Sequence, residues 1–487
     1  MLKLSLALAT AILVVLSGNL SGCNGYNRVE SRRKGSDTLS RANHSRAYYV
    51  SPQGKDSNPG TKARPWATPG YGSRKLKPGD TLLIRGGRYV LSKYDEDILI
   101  PPSGTSNAFV TIRGEKGDRP VLAGRKNLLT AIDLSGKNYV RIENIEITSD
   151  NGAPFRDAIQ ATGNPVNHLV LKDLYIHHVD EFGVNIGDVS DLKIRKSKIT
   201  HAGLGSVGGP EGKKGGWRNV VIENSYLGYS GHYYRGGRGP SPYDRPDGFG
   251  IEPSAGPVEI ANTIVERNRG DGIDSKAENT YIHHSVVANN YADGIKLWGK
   301  NSKIENSLIY GRGGGDKGTT PWASIVIDTK AKGARFEIVN VTVDDSVGGN
   351  NIMYVQYDSP KIPVNLTIVN SIFSARGERS PIFLAGSVKF NLDHNLFYMP
   401  KSEEVLVYGE KKSYGRAQIK ELDSGNRYGD PRFVQPGFGA GDGAGDYHLK
   451  EGSPAIDGGT SVDGLSADLD GKARPRGKAY DIGAYER

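Results

Sequence analysis

Short runs of apolar residues separated by polar turns recur along the chain, and beyond the N-terminus no stretch keeps a sustained helical spacing. One unit repeats in the middle of the chain: an apolar residue, a residue of variable type and then a polar residue that is often Asn. Its copies are Ile142-Glu143-Asn144, Leu171-Lys172-Asp173, Ile194-Arg195-Lys196, Ile222-Glu223-Asn224, Ile260-Ala261-Asn262, Ile282-His283-His284, Ile304-Glu305-Asn306, Ile338-Val339-Asn340, Ile368-Val369-Asn370 and Leu392-Asp393-His394. Successive copies begin 29, 23, 28, 38, 22, 22, 34, 30 and 24 residues apart. A minimum of 22 with a variable excess is typical of a solenoid in which each coil has fixed strands and loops of free length.

The pattern predicts an all-β fold, a right-handed parallel β-helix over residues 47–427. Apolar side chains would stack inside the coils and polar side chains outside. A propeller would need blades of about 40 residues, and a sandwich would show hairpin turns at shorter spacing. Near the C-terminus, Ser453-Pro454-Ala455-Ile456-Asp457-Gly458 and Asp481-Ile482-Gly483-Ala484-Tyr485-Glu486 resemble the terminal module of many exported bacterial β-helix proteins. We therefore predict that residues 428–487 form a C-terminal capping module that covers the strand edges at the end of the solenoid.

The first residues are typical of an export signal. Lys3 precedes an apolar run over residues 4–16, which is shorter than the roughly 20 residues that a membrane-spanning helix needs. Leu20-Ser21-Gly22-Cys23 resembles the lipobox of bacterial lipoproteins, which implies a signal peptide over residues 1–23, lipidation of Cys23, and a location in the cell envelope, at the outer membrane or cell surface. An ordinary signal peptide with an incidental Cys is the alternative. Residues 24–46 are polar and basic, which predicts a flexible tether beside a lipid surface.

Composition and charge narrow the function. The 487 residues include 63 Lys+Arg, 54 Asp+Glu and one Cys, which excludes an intramolecular disulfide and a cysteine-based metal cluster. Lys3 and the tether supply five of the nine formal positive charges, so the body of the chain is only mildly basic. We therefore expect no nucleic-acid partner, whereas an acidic polysaccharide is compatible with a locally focused charge. We expect the chain to be a monomer.

The two longest intervals between repeats contain loops that bracket the two shortest coils. Residues 228–238 are rich in Gly, Tyr and Arg, and residues 311–317 in Gly, Arg and Lys. Loops of this composition beside a flat sheet can form a cleft wall that stacks on sugar rings and pairs with carboxylates. We predict substrate-binding roles for Tyr234, Arg235, Arg267 and Arg269. A solvated insertion is the alternative.

An Asp-Gly unit repeats in the short coils. Asp247, Asp271 and Asp293 are 24 and 22 residues apart, one coil each, so they should form a column with neighbours about 4.8 Å apart. Three residues further on, Asp274 and Lys296 occupy equivalent positions in adjacent coils. Two like charges about 4 Å apart repel by about 1 kcal/mol in water and about 4 kcal/mol at an effective dielectric of about 20. The column therefore indicates a cation, and hard oxygen ligands favour Ca²⁺. The alternative is that Asp-Gly is simply a common turn dipeptide.

A family resemblance rests on these coils. Asp247-Gly248-Phe249, Asp271-Gly272-Ile273-Asp274 and Gly294-Ile295-Lys296-Leu297 resemble, in order and spacing, the active-site coils of polysaccharide lyase family nine, which includes pectate lyases with a parallel β-helix. The resemblance implies that Asp247, Asp271 and Asp274 bind Ca²⁺ and that Lys296 is the catalytic base. The family pattern has a further Asp where this chain has Gly270. Asp293 is a possible substitute ligand.

The resemblance implies a polysaccharide lyase that cleaves an acidic, pectate-like polymer of uronic acids by Ca²⁺-assisted β-elimination. In this reaction a base removes the C5 proton, the carboxylate charge is neutralised and the C4 glycosidic oxygen leaves. Lys296 acts only if it is unprotonated, which a neighbouring cation would favour. Two alternatives remain open: a C5-epimerase on the same scaffold and a non-catalytic surface glycan-binding protein. Lys296 could also be only a salt-bridge partner of Asp274.

Two pairs of adjacent histidines, His177-His178 and His283-His284, are further candidates for metal binding. Because side chains alternate along a strand, we expect each pair to point to opposite faces, which does not suit a shared metal ion. We therefore predict a structural role for both pairs.

Overall fold

The computed structural model describes residues 45–238, 242–244, 246–313, 323–409, 412–439 and 444–487. The predicted signal peptide, Cys23 and all but the last two residues of the tether lie outside these ranges, so the lipoprotein assignment stays a prediction. Among the described residues, no helix is both long enough and apolar enough to cross a bilayer.

Three long sheets wind around a common core, and from Thr130 onward each coil visits sheets A, B and C in that order. The strands of sheet A are Ala47–Val50, Thr81–Ile84, Val110–Gly114, Asn138–Glu143, Val166–Lys172, Val189–Arg195, Trp217–Glu223, Val258–Ala261, Thr280–His283, Ser302–Glu305, Arg335–Val339, Asn365–Val369 and Lys389–Asp393. Those of sheet B are Arg88–Leu91, Val121–Gly124, Glu146–Ser149, Tyr175–Val179, Lys198–Ala202, Tyr226–Gly228, Ile264–Glu266, Val286–Ala288, Leu308–Tyr310, Thr342–Asp345, Ile372–Ala375, Leu396–Tyr398 and Arg427–Tyr428.

Sheet C carries the face on which the candidate site lies. Its strands are Thr130–Asp133, Asp157–Ala161, Phe182–Ile186, Gly205–Gly208, Asp247–Ser254, Ile273–Ala277, Ile295–Leu297, Ala323–Ile327, Asn351–Val355, Ile382–Leu384, Glu404–Tyr408 and Lys412–Gly415. The last two strands of sheet C pair antiparallel, and successive coils pair parallel. The predicted parallel β-helix is therefore confirmed.

Smaller elements complete the part of the chain that the structure describes. Besides the antiparallel pair in sheet C, two hairpins there pair Tyr233–Tyr234 with Gly237–Arg238 and Phe433–Gln435 with Asp446–Leu449. The helices are Pro69–Lys75, Tyr94–Asp97 and Ile419–Leu422. The first begins with a proline at a position where no intrahelical N–H is needed, and it packs near the start of the solenoid beside Trp66.

The repeated sequence unit marks one corner of the coil. Its first residue stacks on the equivalent residue of the next coil, as in Ile222 on Ile260 and Ile260 on Ile282, and these three side chains are fully buried. Burial of one such side chain contributes about 1.5–3 kcal/mol. The third residue of all ten copies has a positive φ of 46–53° and turns the chain from sheet A into sheet B. Asn adopts this left-handed conformation more readily than most residues, which explains its frequency there.

Positive φ values also correct the expectation for the histidine pairs. His178 and His284 have positive φ values of 58° and 48°, so strand alternation breaks at both residues. The Nδ1 atoms of His177 and His178 lie 2.6 Å apart, and those of His283 and His284 lie 3.0 Å apart. The prediction that each pair points to opposite faces is therefore wrong.

The C-terminal module packs on the side of the solenoid, which corrects the predicted position at its end. Phe433, Tyr447 and Ile482 form an apolar cluster with Leu308 and Ile372 on the outer face of sheet B. The end of the core is instead closed by the antiparallel hairpin and the short helix, through the residues Leu406, Tyr414 and Ile419. The physical reason is that the outer face of sheet B is itself apolar along these coils and must be covered.

Candidate active site

The Asp-Gly units lie where the chain turns from sheet B into sheet C. Asp247 begins one strand of sheet C, and Asp271 and Asp293 lie two residues before the next two strands. Each carboxylate accepts a backbone N–H from the coil above. The distances are 2.7 Å from Asp271 N to Asp247 Oδ1, 2.9 Å from Asp293 N to Asp271 Oδ1 and 2.7 Å from Ala323 N to Asp293 Oδ1. This ladder uses one oxygen of each aspartate and leaves the second oxygen for other partners.

Asp274 and Lys296 project from adjacent strands of sheet C beside this ladder. They are direct partners in the parallel register, and Gly250 is the partner of Asp274 on the other side. A Cβ atom at Gly250 would lie 3.0 Å from Asp247 Oδ2, so glycine leaves room for that carboxylate. The vertical alignment expected from the spacing is thus present.

Three of the carboxylates could hold a metal ion together. Carboxylate oxygens of Asp247, Asp271 and Asp274 all lie within 4.8 Å of one another. Asp274 Oδ1 is buried and has no hydrogen-bond donor among the described residues. Such hard, charged oxygens suit Ca²⁺, so the donor set fits the predicted ion. Asp293 lies in the same column but outside this group of three.

Lys296 is buried and ion-paired, with only 2% of its side chain exposed. Its Nζ lies 2.8 Å from Asp271 Oδ2 and 2.9 Å from Asp293 Oδ2. Burial alone would lower the pKa of Lys296, but the carboxylates, led by Asp271 and Asp293, outweigh burial and raise it above its ordinary value. These residues therefore present an ammonium group held at a defined place.

The surroundings of two of the carboxylates raise their pKa values and so disfavour their charged form. Burial, followed by the neighbouring Asp271, raises the pKa of Asp274 to about 6, against the opposing charge of Lys296. Burial and the same neighbour raise the pKa of Asp247 well above its ordinary value. Four aspartates around one ammonium leave an excess of negative charge that a divalent cation would relieve.

A second ladder fixes the turn that precedes Asp271, and the sequence analysis missed it. Asn290 Oδ1 accepts the backbone N–H of Asn268 at 3.1 Å and its side-chain amide at 2.9 Å, and Asn268 Oδ1 accepts the Ser230 N–H at 3.0 Å. All three residues are buried. The signal was available, because Asn268 and Asn290 are 22 residues apart, the same interval as Asp271 and Asp293.

The predicted substrate-binding residues lie on turns and loops between sheets B and C. Arg269, two residues before Asp271, is half-buried with its guanidinium 5.4 Å from the ring centre of Tyr291. Arg267 follows a strand of sheet B, and its Nε lies 3.7 Å from Glu266 Oε2. Exposed Arg235 and half-buried Tyr234 belong to the hairpin of the long loop, where the guanidinium lies 5.1 Å from the tyrosine ring centre. Their contact with a substrate stays a prediction.

A family model described as "Pel9A-like, right handed beta helix region" matches residues 48–319, more than half of the chain. The chain belongs to this family. The match includes the three coils that hold Asp247, Asp271, Asp274 and Lys296, and it agrees with the right-handed winding expected from the sequence. Membership fixes the scaffold of this Pel9A-like protein and leaves its reaction to be tested.

Further similarities are consistent with the scaffold. A segment of 142 residues is 28% identical to the uncharacterized protein YwoF of Bacillus subtilis (strain 168), and the match covers 27% of this chain and 28% of that protein. Among solved structures, XylC in complex with xylose has a TM-score of 0.58 at 10% identity and covers 91% of this chain and 99% of that one. The A-module of the mannuronan C-5 epimerase AlgE4 from Azotobacter vinelandii has a TM-score of 0.50 at 13% identity and covers 69% and 90%. Pectate lyase Pel9A has a TM-score of 0.44 at 15% identity and covers 91% and 96%. At these identities the likenesses to XylC and to the AlgE4 A-module show the fold alone.

Proposed function

We propose that this protein is a polysaccharide lyase that cleaves an acidic polymer of uronic acids by β-elimination. Lys296 is the base, and Asp247, Asp271 and Asp274 are ligands of one Ca²⁺ ion. The observation that carries the proposal is the convergence of these three carboxylates and the amine on one face of sheet C. Membership of the Pel9A-like family supports it.

Each residue has a defined task in this reaction. Bound Ca²⁺ would supply positive charge that neutralises a substrate carboxylate and makes removal of the adjacent C5 proton easier. Lys296 accepts that proton at Nζ, which requires the neutral amine. Once Asp271 serves as a ligand, its charge favours the ammonium form of Lys296 less strongly. In this proposal Arg269, two residues before Asp271, pairs with a second substrate carboxylate.

A non-catalytic glycan-binding role is the second candidate, and one observation favours it. Lys296 has two carboxylate partners and a side chain that is 2% exposed, as expected of a structural ion pair. In this case no polymer would be converted, although the acidic cluster could still bind a cation and a glycan.

Product analysis with the full chain tests the proposal. The protein is incubated with pectate, alginate, glycosaminoglycans and bacterial exopolysaccharides, with calcium or with a chelator, and the ultraviolet absorbance of a new C4–C5 double bond is followed. We expect calcium-dependent absorbance on at least one polymer, and a loss of about 100-fold or more in Lys296→Ala. Lys300→Ala is the matched control, because Lys300 is a half-exposed partner of Glu278.

The other outcomes separate the alternatives. Full turnover by Lys296→Ala removes Lys296 as the base, and activity that is unchanged by the chelator removes the metal. Inversion at C5 without a double bond, detected by NMR, identifies a C5-epimerase. Conversion of no polymer supports the non-catalytic role.

A further inference from the structure

A pocket opens on the outer face of sheet C, away from the acidic cluster. Phe182, Asn185 and Glu252 are among the residues that line it. Asn185 pairs in register with Gly208, Gly208 with Gly250, and Gly250 with Asp274. The pocket therefore lies three coil steps from Asp274, about 14 Å along the axis of the solenoid. This is the length of a few sugar residues.

The two column positions between these places are glycines, Gly208 and Gly250. Side chains from neighbouring positions lie over them: the Phe182 ring over Gly208 and the Asp247 carboxylate over Gly250. A Cβ atom would lie 2.9 Å from the Phe182 ring at Gly205 and also at Gly208, so the ring rests on these two glycines. Phe182 is half-buried and lines the pocket. A ring face of this kind is a platform for the apolar face of a sugar.

Two buried amide oxygens at this place have no donor. Asn185 is 6% exposed, and its Nδ2 donates to Asp157 Oδ2 at 3.0 Å, while its Oδ1 has no hydrogen-bond partner among the described residues. Gln160 is the register partner of Asn185 in the coil below, is 8% exposed, and its Oε1 also lacks a partner within the described ranges. Buried acceptors without donors are rare in folded proteins. A ligand hydroxyl would supply the missing hydrogen bond to Asn185.

The charges around the pocket do not favour a carboxylate. Arg156 is flanked by Asp157 at 3.2 Å and Glu181 at 3.6 Å, so its charge is compensated. Glu211 and Glu252 line the same pocket, and Glu252 is paired with Lys276 at 2.8 Å. A uronate placed here would meet more acidic than free basic groups, whereas a neutral sugar would not be repelled.

We propose that this pocket is a subsite for a neutral sugar, recognised by the Phe182 ring and by hydroxyl donation to Asn185. The inference rests on the proposed function for its placement, because one glycan chain would lie along sheet C from this pocket to Lys296. The preferred polymer is then a heteropolysaccharide in which a neutral residue lies a few sugars from the uronic acid that reacts. A uniform polyuronate such as pectate is not the best substrate.

Binding to the full chain tests the subsite without turnover. Cellotetraose, xylotetraose, mannotetraose and galactotetraose are the neutral probes, tetragalacturonate is the acidic probe, and dissociation constants are measured by calorimetry in the presence of a chelator. We expect at least one neutral probe to bind. Its dissociation constant should rise about tenfold or more in Phe182→Ala and about threefold or more in Asn185→Ala. Phe383→Ala is the matched control, because Phe383 lies in the same outward column beyond Lys296, and it should bind as the parent does.

Each remaining result overturns the subsite. The first is that no neutral probe binds. The second is that folded Phe182→Ala and Asn185→Ala bind the neutral probe as tightly as the parent does. The third is that tetragalacturonate binds and either substitution weakens its binding. Circular dichroism identifies a variant that does not fold, and the other variant then decides. Because the assay needs neither Lys296 nor calcium, the subsite can stand if no lyase activity is found. Conversely, lyase activity with unchanged neutral-sugar binding in both variants removes only the subsite.

Discussion

Lys296 is the residue on which the electrostatics of the site depend. Its ammonium group lies between the carboxylates of Asp271 and Asp293, and all three side chains are at most 2% exposed. Charges taken out of water are costly unless they are paired, so the lysine offsets the cost of burying two aspartates. The same pairing holds Nζ beside the proposed calcium ligands. A structural role and a catalytic role therefore coincide in one side chain.

Removal of this ammonium should destabilise the protein far more than removal of an exposed one. In calcium-free buffer at neutral pH we expect Lys296→Met to lower the free energy of unfolding by about 3–5 kcal/mol, because two buried carboxylates lose their partner. Lys300→Met, which breaks a half-exposed pair with Glu278, should change it by about 1 kcal/mol or less. Urea denaturation of both variants measures the difference. Equal losses would contradict the account of Lys296 as a buried ion-pair partner.

The sequence spacing correctly predicted that these residues lie together, but it did not predict which of them form ion pairs. Intervals of one coil aligned Asp247, Asp271 and Asp293 and made Asp274 the neighbour of Lys296. Lys296 instead forms its ion pairs with Asp271 and Asp293, because the rotamer of a long flexible side chain depends on the space and the charges around it. The sequence spacing contains no information on that space or on those charges. Buried acceptors such as Asn185 Oδ1 are likewise defined only by the packed structure.

At the scale of the structural element, the corner between sheets A and B determines where each coil of the solenoid turns. One left-handed residue there, such as Asn224 with a φ of 51°, redirects the chain from one sheet to the next. The left-handed conformation costs most L-residues about 1–2 kcal/mol, and Asn and Gly tolerate it best. The sequence predicted the repeated unit correctly, because its apolar and polar positions coincide with this geometry. The expectation failed for the histidine pairs, because His284 at this corner and His178, near the end of a strand of sheet B, both have a positive φ that breaks strand alternation.

Lys196 gives a direct test of the corner. It is exposed and has a φ of 50°, so Lys196→Asn should raise the free energy of unfolding by up to about 1 kcal/mol. Lys193→Asn is the control at an exposed strand position of the same coil and should be neutral or destabilising, because Asn is disfavoured in strands. Thermal unfolding at a fixed scan rate compares the two. Destabilisation by Lys196→Asn would contradict the proposed geometry of the corner.

At the scale of the whole molecule, the C-terminal module covers the flank of the coils. Leu308, Ile372 and Leu396 are apolar residues on the outer face of sheet B, and Tyr447 and Ile482 pack against them. In the sequence these residues resemble the inward positions of any other strand. The module could therefore be recognised from the sequence, but the surface that it covers could not.

Proton binding should couple the stability of the molecule to pH. Burial raises the pKa of Asp157 to about 6 in the folded protein. When the pH is below the pKa of Asp157 in the unfolded chain, this group contributes its full stabilisation, and the stabilisation is lost as the pH rises through about 6. Two pKa units correspond to about 3 kcal/mol. His201, whose pKa burial and neighbouring histidines lower to about 4, titrates in the same range with the opposite effect. The test therefore compares Asp157→Asn with the parent at each pH.

We expect Asp157→Asn to become more stable relative to the parent by about 2–3 kcal/mol between pH 4 and pH 8. The substitution keeps an oxygen that can accept the Phe182 N–H bonded to Asp157 Oδ1 at 3.1 Å, and it removes the buried charge. Denaturant unfolding at several pH values measures the difference. A difference that does not change with pH would show that Asp157 does not titrate in this range.

The proposed reaction requires that Asp247, Asp271 and Asp274 bind one cation together, and calorimetric titration of the full chain with Ca²⁺ tests this most directly. We expect binding at this site, weakened by about tenfold or more in Asp274→Asn because one of three carboxylate ligands is lost. Asp293→Asn should bind within about threefold of the parent, because Asp293 lies outside the group of three. The absence of Ca²⁺ binding, or parent-like affinity in Asp274→Asn, would contradict the account.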